Sequence, residues 1–163
     1  MTDTISPEPR LVSLYGKYIV GWEVRTSNRD ESSPDTARIP AVWDRAREEN
    51  LGANIRDQRE PGVMLGAYTR YQSDDKGPYS LIVGAEVEDL DNIPQGMTGI
   101  TVLAQEYAVF TALGDMPQAV FEGWTAVWKY FSDNTVLTRV FSTDFERYDS
   151  ATPGIVEIYV AVR

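Results

Sequence analysis

Tyr18-Ile19-Val20, Ala41-Val42-Trp43 and Arg70-Tyr71-Gln72-Ser73 form a series that this chain states twice. Downstream, in the same order, stand Tyr107-Ala108-Val109, Ala126-Val127-Trp128 and Arg147-Tyr148-Asp149-Ser150. Both helical pieces have a proline upstream, Pro40 and Pro117. Three echoes in order predict two copies of one strand–helix–strand–strand unit. One copy cannot cover its own apolar face, so the two are expected to share a core. The seam between them is a natural place for a ligand cleft.

Working outward, residues 11–25 alternate as a strand, with Tyr18, Val20, Trp22 and Val24 on one face. Residues 26–37 have loop composition. Ile39 to Asn50 reads as a helix that starts at Pro40 and stops before Gly52. Met64–Tyr71 and Tyr79–Glu88 flank the turn cluster Asp74-Asp75-Lys76-Gly77-Pro78 and are expected to form a hairpin. Residues 89–97 link the copies. The second copy runs in parallel: a strand over 97–111, a helix over 116–131 with Asp115 as N-cap, and strands over 144–149 and 155–163. Residues 132–143 carry no clear pattern. The fold class is therefore α+β, two pseudo-symmetric βαββ repeats spanning residues 11–88 and 97–163 of one domain. Residues 1–10 read as a flexible tail, without the basic-then-apolar order of a signal peptide.

The 163 residues suffice for one sizeable core. Cysteine and histidine are both absent, which excludes disulfides, thiolate nucleophiles, Ser-His-Asp triads and imidazole-based zinc sites. No cofactor or metal is called for. A net charge of −10 without a basic stripe argues against direct contact with nucleic acid. It would attract a cationic small molecule or a basic protein. No apolar run is long enough for a membrane span, so a cytoplasmic protein is the expectation.

The last strand sends Val156, Ile158, Val160 and Val162 one way and Ile155, Glu157, Tyr159 and Ala161 the other. In residues 144–149, Phe145 opposes Asp144, Glu146 and Tyr148. From this alternation one face of the sheet, turned away from the helices, is expected to present Glu146, Glu157, Tyr148 and Tyr159. Tyr68, Tyr71, Tyr79 and Trp22 add rings from the first copy, and Trp43, Trp124 and Trp128 from the helices. Carboxylates among aromatic faces suit a lipophilic cation, which gains ion pairing and cation–π attraction. Core packing is the competing role for each tryptophan, and Trp22 is read as core. Solvation at the sheet surface is the competing role for Glu157.

Several motifs carry a family resemblance. They are Glu106-Tyr107-Ala108-Val109-Phe110-Thr111, then Gly114, Pro117 and Trp124, then Phe145-Glu146-Arg147-Tyr148 and Val156-Glu157-Ile158-Tyr159. This set resembles the GyrI-like effector-binding domains, which end AraC-type and MerR-type transcription regulators and also stand alone. Ile19-Val20-Gly21-Trp22-Glu23-Val24-Arg25-Thr26 and Ile39-Pro40-Ala41-Val42-Trp43 resemble the integron-associated, cassette-encoded branch. The resemblance implies two SH2-like βαββ halves with a cavity between them. It implies cationic, lipophilic ligands whose counter-charge is the Glu of Phe-Glu-Arg-Tyr, here Glu146. The echo spacing makes Thr69 its counterpart in the first copy.

The ligand-binding set expected from all this is Glu146, Tyr159, Tyr68, Trp43, Trp124, Glu157, Tyr148 and Tyr79. The first strand begins within about 11 residues of Met1, so no DNA-binding domain is expected ahead of it, and a separate protein would have to supply DNA contacts. Two further readings stay open. One is a hydrolase of strained-ring electrophiles, with Glu146 or Glu157 as general base. The other is an acidic, gyrase-inhibitor-type protein-interaction module. Binding is preferred to catalysis.

Overall fold

A computed structural model describes residues 8–134 and 136–163. Residues 1–7 of the expected tail lie outside them. Arg10, assigned to that tail, opens the first strand. The strands are β1 (Arg10–Leu14), β2 (Lys17–Thr26), β3 (Val63–Thr69), β4 (Tyr79–Val87), β5 (Thr98–Val102), β6 (Gln105–Leu113), β7 (Thr143–Asp149) and β8 (Ile155–Val162). The helices are α1 (Asn28–Glu31), α2 (Ile39–Glu48) and α3 (Gln118–Asp133), with a 3₁₀ turn at Leu51–Asn54.

All eight strands join one antiparallel sheet in the order β1-β6-β8-β7-β3-β4-β2-β5. That order is a palindrome under the exchange of β1 with β5, β2 with β6, β3 with β7 and β4 with β8. The fold is α+β with two pseudo-symmetric halves, and the halves meet at β3 and β7. Each stretch read as one long first strand breaks in two, at Tyr15-Gly16 and at Leu103-Ala104. Each break changes partner: β1 pairs with β6 of the other half, and β5 pairs with β2. The inward-facing residues change parity at each break, from Val12 and Leu14 to Ile19 and from Ile100 and Val102 to Tyr107 and Val109. The two breaks touch: a Cβ on Gly16 would lie 3.0 Å from the Val102 carbonyl oxygen.

The sheet buries both faces. Ile19, Ile82, Ile100, Tyr107, Val109 and Phe145 close its inner face. On the outer face Val42 and Ala46 of α2, one turn apart, cover Leu81, Val83 and Ala85. Val120 and Val127 of α3 cover Val156, Ile158, Val160 and Val162, so the aliphatic face of β8 packs on a helix as expected. The Gly21–Gly84 pair lets the β2 and β4 backbones approach closely. A Cβ on Gly84 would fall 1.8 Å from the Val20 carbonyl oxygen.

Three details differ from the sequence reading. The stretch read as loop over 26–37 contains α1, whose first turn is capped by the Ser27 hydroxyl accepting from the Asp30 N–H. Helix α3 begins at Gln118 with Pro117 at the N-cap position and no side-chain cap, so Asp115 does not serve there. The unassigned segment before β7 holds the end of α3 and Arg139, which bridges to Val162.

Candidate functional site

The β3–β7 ladder centres on Gly66 opposite Glu146. Its palindromic register maps Val63–Thr69 onto Thr143–Asp149, so the counterpart of Glu146 is Gly66. The assignment to Thr69 is corrected, because loops of unequal length shift the sequence echo relative to the ladder. The other echoes slip too. Tyr18 is half-exposed and Tyr107 is buried; Ile19, one residue along, shares Tyr107's inner-face cluster. Tyr148 corresponds to Tyr68 rather than to Tyr71.

Glu146 also faces the helices, not away from them. It lies opposite Ile158, whereas Phe145 lies opposite Tyr159 and Arg147 opposite Glu157. Directly paired residues share a face, so Glu146 and Tyr148 sit on the helix side, and Glu157 and Tyr159 on the inner side. The expected grouping of the four is overturned by a one-residue register between β7 and β8, and one residue flips a side chain across the sheet.

Glu146 is 2% exposed. It accepts from the Tyr68 hydroxyl at 2.6 Å and the Trp124 indole N–H at 2.7 Å on Oε2, and from the Tyr148 hydroxyl at 2.7 Å on Oε1. Pseudo-symmetry organises these donors. Tyr68 meets Trp124 edge-on at 5.2 Å, and Tyr148 meets Trp43 edge-on at 5.1 Å. Each pair joins a seam strand of one half to the helix of the other. Gly66 makes the arrangement possible: a Cβ there would lie 2.9 Å from Trp43 Cζ2 and 3.2 Å from Glu146 Oε1.

Burial pushes the Glu146 carboxyl above its ordinary value, and the three donors pull it back only in part. Burial, and after it the same carboxylate, holds the Tyr68 and Tyr148 hydroxyls far up, so both remain donors. The second buried carboxylate on this face, Asp144, has a counter-ion. Arg139 pairs with it at 2.7 Å, while the Tyr71 hydroxyl and the Ala161 N–H also donate to it. Among the described residues, no cation pairs with Glu146.

Against the Tyr68–Trp124 side lies a cavity of ≈ 720 Å³. Tyr68, Tyr71 and Tyr79 form one wall, and Phe121, Trp124 and Trp128 of α3 the other. The Asn28–Ser32 turn and Asp75-Lys76 close the ends. Asn28 ties these ends together, accepting from the Tyr79 hydroxyl at 2.7 Å and donating to the Asp75 carbonyl at 2.9 Å. Glu31 also borders the space, but its carboxylate is occupied as a cap for α2, accepting from the Arg38 and Ile39 N–H groups.

Of the eight expected residues, Tyr68, Tyr79 and Trp124 line the cavity, and Glu146 lies directly behind two of them. Trp43 and Tyr148 support Glu146 from the far side. Tyr159 borders a smaller cavity on the inner face, and Glu157 is held by Arg10 at 2.6 Å. Residues absent from that set include Tyr71, Phe121, Trp128, Asp75 and Arg139. The Phe121 and Trp128 spacing on α3 is a legible rim signal, since both are exposed and apolar. Arg139 came from the patternless segment and gave no signal. Among the described residues, no cluster of three or more His, Cys, Asp or Glu could hold a metal, and no helix is long and apolar enough to cross a membrane.

Comparison with known proteins bears on this geometry. Residues 10–162 match the Cass2 family model, the integron-associated effector binding protein. YobU of Bacillus subtilis, a candidate transcriptional regulator, is 34% identical over 152 residues, covering 90% of this chain and 92% of YobU. The transcriptional regulator BrlR of Pseudomonas aeruginosa is 30% identical over 118 residues, and the match spans 41% of its length. Among solved structures, an integron cassette protein from the mobile metagenome of Vibrio cholerae superposes with a TM-score of 0.81 at 31% identity, covering 96% of both chains. SAV2435 bound to tetraphenylphosphonium superposes with a TM-score of 0.78 at 22% identity, covering 96% of this chain and 94% of that one.

Proposed function

The chain belongs to the family of integron-associated effector-binding proteins, and on that premise we propose that it is a receptor for cationic, lipophilic small molecules. One observation carries the reading: a buried carboxylate, unpaired with any cation among the described residues, is hydrogen-bonded to Tyr68 and Trp124, two walls of a ring-lined cavity. A buried charge is costly until it is compensated. A ligand cation resting on Tyr68 and Trp124 supplies the missing positive charge and gains roughly 0.5–2 kcal/mol of cation–π attraction per ring. The cavity lies within the size range of small-molecule sites.

The same geometry supports binding over hydrolysis. Three donors occupy Glu146, and it is walled off from the cavity by Tyr68 and Trp124. A general base needs a water within hydrogen-bond reach. The reading describes a cytoplasmic sensor. Its regulator relatives support an output to transcription through a DNA-binding partner, since this acidic chain is poorly suited to touch phosphate itself.

Calorimetric titration tests the ligand class. Tetraphenylphosphonium is a fitting probe because SAV2435 binds it, and triphenylphosphine oxide is a neutral comparator of similar ring content. Saturable binding of the cation, at least about tenfold tighter than the neutral compound, is expected, a difference of about 1.4 kcal/mol. Equal affinities would remove the charge from the explanation.

A further inference from the structure

On the inner face of the sheet, behind β7, lies a second cavity of ≈ 500 Å³. Phe145 and Arg147 face it, while Glu146 and Tyr148 of the same strand point to the opposite, helix-covered face. Its floor is the stacked pair Phe145 and Tyr159, with ring centroids 4.4 Å apart, beside Leu65. Its polar wall carries Lys17, Arg59 and Arg147 against Glu60 and Glu86.

The cations here are loosely held. Lys17 Nζ is 3.7 Å from Glu86, and Arg59 Nε is 3.9 Å from the same carboxylate. Arg147 reaches Glu60, Glu157 and Asp149 at 3.3, 3.6 and 3.8 Å. Every ion pair longer than 3.2 Å among the described residues belongs to one of these three side chains. Charge-assisted hydrogen bonds normally close to about 2.7–2.9 Å. Lys17 is the extreme case. Its side chain is 12% exposed, it rests 4.5 Å over the Phe145 ring, and desolvation holds its ammonium below the ordinary lysine value. An ammonium with three donors, little exposure and its nearest carboxylate partner among the described residues 3.7 Å away is poised for an anion.

We propose that this second cavity binds a small organic monocarboxylate with a flat, apolar body. The carboxylate bridges Lys17 and Arg59, and the body covers the Phe145–Tyr159 floor. The volume exceeds what an inorganic ion fills. Glu60 and Glu86, together with the protein's overall negative charge, select against polyanions. The site is independent of the cation cavity and stands whether or not that reading holds.

Benzoate is the probe and benzamide its neutral counterpart. The chain has only three lysines, Lys17, Lys76 and Lys129, so lysine-labelled protein gives a simple NMR readout. Lys76 borders the first cavity and Lys129 lies on exposed α3. Benzoate is expected to shift the Lys17 side-chain resonances saturably and raise their titration point, leaving Lys76 and Lys129 still. Lys17→Gln should weaken benzoate at least about tenfold, or 1.4 kcal/mol, while tetraphenylphosphonium titrates as before. Should that variant fail to fold, the labelled wild-type titration decides alone. Absence of saturation, a response at Lys76 in place of Lys17, or equal effects of benzamide and benzoate would overturn the proposal.

Discussion

Replacing Glu146 with Gln removes the charge and keeps the shape, so its effect on cation binding can be worked out beforehand. The Tyr68 hydroxyl and the Trp124 N–H touch the carboxylate at 2.6 and 2.7 Å. A cation resting on the cavity side of those rings sits roughly 7 Å from the charge, and Coulomb's law at an effective dielectric of about 20 makes that worth about 2.4 kcal/mol. The loss converts to roughly fiftyfold in Kd. Calorimetry with tetraphenylphosphonium on wild type and Glu146→Gln reads it directly. Triphenylphosphine oxide should lose almost nothing, because it makes the same ring contacts without the charge. A cation Kd that moves less than about threefold, or an equal loss for the neutral compound, would refute the electrostatic argument and leave only ring packing.

The remaining predictions use the same site. The cation binds ionised Glu146, whose carboxyl lies above its ordinary value, so affinity should fall as pH drops through that raised value and level off above it; titrations across acid to neutral pH check this. Stability of the empty protein should run the other way. A raised folded-state value means that the Glu146 contribution is complete below about 4.5 and is lost as pH rises through the folded value, so the Tm advantage of Glu146→Gln should grow with pH. Gly66→Ala drives a methyl against Trp43 and the Glu146 carboxylate, and urea denaturation should show a loss of about 1–3 kcal/mol. Trp128→Ala removes a half-exposed rim ring; it should cost less than about 1 kcal/mol of stability while weakening the cation by about 0.5–2 kcal/mol.

Much of this architecture is readable from residue order. Strands of strict alternation, such as β8, and helices bounded by Pro40 and Gly52 announce themselves, and the duplication is visible because its elements recur in sequence. Register is another matter. The echo Arg70-Tyr71 with Arg147-Tyr148 is a true repetition of letters, yet the ladder equates Tyr148 with Tyr68. Hydrogen bonding fixes which residues oppose each other, and intervening turns differ in length. One residue of slip was enough to assign Glu146 to the wrong side of the sheet. The partner changes at Gly16 and Ala104 are silent for a similar reason, since the alternation does not encode which neighbour a strand chooses. Arg139 is invisible because an irregular segment carries it, and only tertiary structure brings it to Asp144.

The exchange of β1 and β5 between the halves has a consequence for how the molecule comes apart. Each half completes its partner's border, so neither is a self-sufficient folding unit. A backbone cut in the 89–96 connection would leave two fragments, each holding a strand that the other lacks. Mixed together, they should reassemble by mutual donation, as a clasp closes from both sides, and the carboxylate at their meeting point should regain the Tyr68 hydroxyl only in the reunited pair.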